Sequence, residues 1–227
     1  MPERADSGPG RADSGPERAD LGPGLTAFAE RRWEDACTLL SDADRAQPLG
    51  ATQLDLLARA AALCGRDETA FDALSRAYHR YLDAPEPTDA DELRAAMAAF
   101  WLGYRLGSLH ERGRSQAWLA RAAVLAGRHD DCVERGYLLL PGIHHLLHSG
   151  DSAGAASAAN AVVGIGLRHG DAALQALGTQ LRGRALLDAG HRTAAVDAFG
   201  EAMLLAAGEG VSELPRGLVY CAVLDGC

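Results

Sequence analysis

From Leu25 onward, apolar residues return every three or four positions, with charged and small polar residues between them. Short punctuation of Gly, Asp and Ser interrupts the pattern, and no stretch alternates as a half-buried strand would. The chain therefore reads as helix, turn, helix. The spacing predicts helices over 25–31, 33–45, 51–63, 68–82, 90–109, 115–126, 131–148, 152–168, 172–189, 192–207 and 213 to the end. Residues 83–89, acidic and carrying Pro85 and Pro87, are predicted as a loop inserted between two hairpins.

A longer regularity appears when every second helix is aligned on a small residue, a large one four later and a small or apolar one three after that. Five triplets result: Ala36/Leu40/Ala43, Ala70/Leu74/Ala77, Ser115/Leu119/Ala122, Ala155/Ala159/Val162 and Ala195/Phe199/Ala202. Each lies on one helical stripe. They recur at intervals of 34, 45, 40 and 40 residues. Counted back in the same register, the preceding helices carry Gly24, Ala58, Gly103 and Gly183, with Ile143 as the exception, and the turns carry Gly65, Gly150 and Gly190. Small residues let two helix axes approach, and large ones fill the space between hairpins. One amphipathic hairpin cannot cover its own apolar face, so repeated hairpins are expected to stack.

On these residues, Gly183, Leu186, Gly190, Ala195, Phe199 and Ala202 above all, the sequence resembles the tetratricopeptide repeat family over residues 25–227. The family's closing Pro is missing from every repeat, and three intervals exceed its usual length. The longer period and the ending Leu218-Val219-Tyr220-Cys221-Ala222-Val223-Leu224-Asp225 resemble the repeat regions of actinobacterial LuxR-type transcription regulators. No helix-turn-helix signature is readable in this chain. The resemblance implies an all-α, right-handed superhelical solenoid of about five antiparallel hairpins followed by one unpaired C-terminal helix.

Residues 1–24 break the pattern. Arg-Ala-Asp-Ser-Gly-Pro is repeated at Arg4 and Arg11 and, with Leu21 in place of Ser, at Arg18. Such a tract has almost nothing to bury and cannot recover its ordering entropy, so it is expected to be a disordered low-complexity tail. A net charge of -9 repels phosphate backbones, which argues against nucleic acid contact through this segment. The five cysteines are scattered, without metal or redox spacing, and read as reduced thiols. No apolar run is long enough to span a bilayer and no secretory signal is present, which points to the cytoplasm and away from membranes.

The resemblance further implies that the first helix of each hairpin lines a concave face and that ligands are held there. Its register places Asp55 and Arg59, then Met97, Phe100 and Tyr104, then Tyr137, Leu140 and His144, then Leu177, Gln180 and Arg184 on that face. An aromatic floor between arginines suits a protein or peptide with apolar anchors and an acidic group, or a small effector. The alternative is that Phe100, Tyr104 and Tyr137 are simply core. His144 and His148 stand one turn apart and could chelate a metal, but no Glu follows the first His and no third ligand is evident. No catalytic motif and no cofactor fingerprint is present, so the chain is expected to bind rather than catalyse. A metal-binding or catalytic protein built on His144, His145 and His148 is one alternative, and a structural oligomerisation scaffold is another. Pro141 is expected to kink or break its helix. Leu218, Val219, Ala222 and Val223 of the last helix are expected to lack a covering partner, leaving either a piece of a longer regulator or a homodimer through that helix.

Overall fold

A computed structural model of the chain describes residues 21–226, which form eleven α-helices and no strand. In order they are α1 (Gly22–Ala29), α2 (Trp33–Ala46), α3 (Ala51–Leu63), α4 (Asp67–Leu82), α5 (Asp89–Ser108), α6 (Arg112–Ala126), α7 (Glu134–Ser149), α8 (Ser152–His169), α9 (Ala172–Asp188), α10 (Arg192–Ala207) and α11 (Glu213–Gly226). Consecutive helices pack against one another all along the chain. All eleven predicted helices are present. The expected low-complexity tail lies almost wholly outside the described residues, but its last three members, Gly22 to Gly24, belong to α1, where Gly24 is buried.

The repeat register reappears in the backbone. Arg31, Gly65, His110, Gly150 and Gly190 all adopt left-handed φ values, between 60 and 83°. They follow the first helix of each hairpin at the same intervals of 34, 45, 40 and 40 residues. After each of them the next amide donates to the carbonyl five residues back: Arg32 to Ala27, Arg66 to Ala61, Glu111 to Leu106, Asp151 to Leu146 and His191 to Leu186, at 2.8 to 3.0 Å. This 6→1 bond satisfies a carbonyl that the helix end would orphan and turns the chain back on itself. The helix starts are fixed by side chains where the loops differ. Thr88 and Asp91 form a reciprocal cap on α5 after the inserted 83–88 loop, and Asp151 and Asp171 accept from the amides of Gly154 and Leu174.

Small and large residues meet within each hairpin as the triplets require. A Cβ placed on Gly24 would lie 2.9 Å from Leu40, one on Gly103 2.9 Å from Leu119, and one on Gly183 2.7 Å from Phe199. In the fourth hairpin the sizes are exchanged, with fully buried Ile143 on α7 and fully buried Ala159 on α8 at the corresponding positions. That exchange accounts for the exception in the sequence register.

Two apolar cores result, one from α1 to α5 with Leu125 of α6 and one from α5 to α11, and α5 is their main seam. Ala95, Ala96 and Ala98 face the first core, while Ala99 and Phe100 face the second. One expectation is narrowed here and another fails. Helix α7 runs through Pro141 as one element, so of the expected kink or break the break does not occur. Nor is α11 bare or unpaired. It packs on α9 and α10, burying Val219 and Val223, and Arg216 donates to the carbonyls of Ala206, Gly208 and Val211. The uncovered stripe that was to drive a homodimer is thus filled from within the chain. Helix α11 also reaches α3, and Glu213 pairs with Arg31 at 3.3 Å, so the last helix meets the first hairpin and the array closes on itself.

Candidate functional site

Closure leaves a cavity of about 510 Å³ between α3, α4, α5 and α11. Its walls follow from helical spacing. Asp55, Ala58, Arg59 and Ala62 form one stripe on α3, and Met97, Trp101, Tyr104 and Ser108 form one on α5, with Arg94 and Arg105 beside it. Phe71 and Leu74 come from α4, Glu134 from the first turn of α7, and Ser212, Leu214, Pro215 and Leu218 from α11 and the residue before it. The volume is that of an ordinary small-molecule site, and the lining is mainly apolar with a few convergent polar groups.

Most of those polar groups are already engaged. The Tyr81 hydroxyl donates to Asp55. Burial raises the Asp55 carboxyl above the usual range, opposed by that hydrogen bond and by the charges of Arg59 and Arg94. Burial and the bond to Asp55 raise the Tyr81 phenol in turn. The Arg59 guanidinium lies 5.2 Å from the centroid of the Phe28 ring, a cation–π contact. Arg105 binds Asp67 through two nitrogens, at 3.0 and 3.2 Å. Tyr104 lies 2.9 Å from His144 Nε2. Burial pushes its phenol up to about 12, and burial lowers the His144 pKa. The imidazole is therefore neutral at pH 7, and it shares one hydrogen bond with the phenol, whose direction is set by the tautomer. His144 is exposed at its edge, yet it sits deep enough among neighbouring helices to lose basicity.

The expected groove residues divide into two groups. Asp55, Arg59, Met97 and Tyr104 line the cavity, and His144 touches it through Tyr104. Phe100, Tyr137, Leu140, Leu177 and Gln180 are buried in the packed interior and face no open surface. Phe100 stacks among Trp101, Tyr104 and Tyr137, with ring centroids 5.1 to 5.5 Å away. The Tyr137 hydroxyl donates to Asp171, at 3.2 Å to one oxygen, and so ties α7 to the cap of α9. Leu177 and Gln180 lie on α9, which α11 covers. Arg184 is exposed and paired with Asp188 at 3.0 Å. Among the described residues no three His, Cys, Asp or Glu side chains gather as a metal site, His144 and His148 included.

The sequence reading missed Trp101, Phe71, Leu74, Glu134 and the contribution of α11. On α5 the lining runs 97, 101, 104, 108, whereas the expected register ran 97, 100, 104. This helix is apolar on two faces because it serves two cores, so its periodicity alone cannot choose between Phe100 and Trp101. Among the described residues no helix is long and apolar enough to cross a membrane. Compared with models of protein families the chain matches none, and no curated protein is significantly similar to it in sequence.

Proposed function

We propose that this chain is a helical-repeat binding module that holds a small, largely apolar effector in the cavity between α3, α4, α5 and α11. The observation that carries the proposal is the cavity itself: about 510 Å³, walled by Met97, Trp101, Leu74 and Leu218, with a mainly apolar lining. A small molecule is favoured over an extended peptide because α11 packs on α9 and reaches α3, and its residues Leu214 and Leu218 form part of the cavity wall. Binding is favoured over catalysis because the titratable groups at the walls are largely spent on one another, as in the Asp55–Tyr81, Arg105–Asp67 and Tyr104–His144 pairs.

The finer form of the proposal takes the array as a right-handed superhelix of tetratricopeptide-like hairpins serving as the cytoplasmic sensor region of a transcription regulator. The recurrence of the left-handed turn residues supports the repeat reading. An in-frame helix-turn-helix encoded downstream of Cys227 would support the regulator reading, and its absence would retire that part alone. The net charge of -9 agrees with nucleic acid being bound elsewhere than on this module.

The cavity is tested with a neutral apolar fluorophore, N-phenyl-1-naphthylamine, read by energy transfer from the tryptophans. One molecule is expected per chain. Ala62→Phe places a ring in the cavity and is expected to abolish that binding while leaving the thermal midpoint within a few degrees of the parent. Equal binding by the parent and the variant would reject the site.

A further inference from the structure

Among the polar groups in the cavity wall, Glu134 stands out by what it lacks. The residue is only 8% exposed, and its Oε2 is buried with no hydrogen-bond partner. A buried carboxylate oxygen that has lost water and gained no donor is costly, and native structures keep such groups where something else completes them. Among the described residues no cationic side chain forms an ion pair with Glu134, and Arg135 next to it spends its guanidinium on the carbonyls of Ala126 and Asp130. The nearby thiol of Cys132 is a weak donor, and burial together with the neighbouring Glu134 charge raises the pKa of that thiol. Tyr137 donates its hydroxyl to Asp171, so that donor is spent, and burial with the charges of Asp171 and Glu134 raises the phenol. The start of α7 favours an anion in its first turn and offsets part of the burial cost, but it leaves Oε2 unpaired.

The arginines of the wall do not meet this need. Arg105 is held by Asp67, and Arg59 rests on Phe28 beside Asp55. Arg94 is exposed, with Asp91 3.8 Å away. They are hydrated or neutralised where they stand, whereas Oε2 of Glu134 is neither. We infer that the effector carries an amine on an apolar body, with its ammonium group completing Glu134 at the α7 end of the cavity and its body against Met97, Trp101 and Leu218. No solvent reaches Oε2, so the contact forms as the carboxylate turns about its last torsion, which is broad and two-fold and therefore soft. The inference rests on the cavity being a ligand site and adds the chemistry of its head group.

Three molecules with one body separate these claims: 4-phenylbutylamine, 4-phenylbutanol and 4-phenylbutyrate, titrated calorimetrically into the full chain. The amine is expected to bind at least about tenfold more tightly than the alcohol, a difference one charge-assisted hydrogen bond supplies, and the carboxylate least tightly. Glu134→Gln is expected to remove the preference for the amine and leave the alcohol's affinity unchanged. Equal binding of amine and alcohol by the parent, or a preference that survives in Glu134→Gln, overturns the Glu134 assignment while the cavity still stands as a ligand site. Tightest binding by the carboxylate, lost in Arg59→Met, overturns it too and moves the head group to the α3 end. If no member binds, the amine inference falls, and the naphthylamine titration decides separately whether the cavity reading falls with it. Should Glu134→Gln fail to fold, the head-group series on the parent protein remains decisive.

Discussion

The exchange of sizes in the fourth hairpin can be made to report whether one packing register governs the whole array. In the first, third and fifth hairpins a glycine on the first helix faces Leu40, Leu119 or Phe199 on the second, whereas Ile143 and Ala159 reverse the arrangement with neither exposed. Ile143→Gly removes a fully buried side chain, a loss of about 2 to 5 kcal/mol for the large-to-small change. Glycine in a helix interior adds roughly 1 kcal/mol, and about 4 kcal/mol is expected in total. Ala159→Leu alone inserts volume where Ile143 already sits and is expected to cost about 2 kcal/mol through overpacking. If the two positions are facing halves of one contact, the double variant recreates the glycine-and-leucine geometry of the other hairpins. It should then cost no more than about 3 kcal/mol, a coupling of the size that touching residues show. Urea unfolding followed by far-ultraviolet circular dichroism measures all three, since a shift in midpoint at constant slope is a change in stability. Costs that simply add, to within about 0.5 kcal/mol, would refute the register and the repeat reading built on it.

The helical glycines divide in the same way. Gly183→Ala brings a Cβ to 2.7 Å from Phe199 and is expected to cost about 1 to 2 kcal/mol, whereas Gly200→Ala meets nothing within 4 Å and should gain up to about 1 kcal/mol, both read by thermal melts. His110, exposed and left-handed at φ 64°, occupies a turn position where three other hairpins have glycine; His110→Gly is expected to raise stability by about 0.5 to 1 kcal/mol in the same melts. The Asp44 carboxyl accepts from both Arg76 terminal nitrogens at 2.6 and 2.7 Å, and that bond holds it below the usual carboxylate range. Its contribution is present at neutral pH and lost as the pH falls through its lowered value, so Asp44→Asn should cost about 1 to 2 kcal/mol at pH 7 and almost nothing in strong acid. Asp55, raised by burial, has the opposite sign: the carboxylate becomes a burden as the pH climbs above the unfolded value, so Asp55→Asn should stabilise at pH 7 and lose that advantage below about pH 4, measured by urea titration across pH.

Which parts of the molecule could be read from the residues follows from how local each determinant is. A helix is declared by apolar positions three and four apart, and Ala51–Leu63 and Arg192–Ala207 match the predicted bounds because Gly and turn residues sit directly outside them. The left-handed turns at Gly65, Gly150 and Gly190 were legible because glycine marks the conformation; at Arg31 and His110 the same backbone is imposed by the hairpin on residues that do not advertise it. The inner face of α5 was misassigned by one position because the helix is buried on two sides, and burial on both sides erases the phase that an amphipathic stripe would show. Pro141 was read as a kink or a break from its missing amide alone; packing against α8, α9 and α5 accompanies a helix that stays in one piece.

Asp55, Arg59, Met97 and Tyr104 were placed from the sequence, and the rest of the cavity eluded it for a different reason. A cavity between α3 and α11 depends on the small rotation from each hairpin to the next, accumulated over five of them, and no single repeat encodes that sum. Covering α9 with α11 buries Leu177 and Gln180, which a hairpin considered alone would expose, and brings Leu214 and Leu218 opposite Asp55 and Arg59. The carboxylate of Glu134 acquires its meaning only through this closure. At the sequence level it is an acidic residue in the first turn of a helix, where the macrodipole alone explains it, and only the closed array shows that its oxygen is buried and unanswered. On the proposed reading the residues that decide the ligand lie where distant repeats meet, and variants at that seam should change binding with little change in the helices on either side.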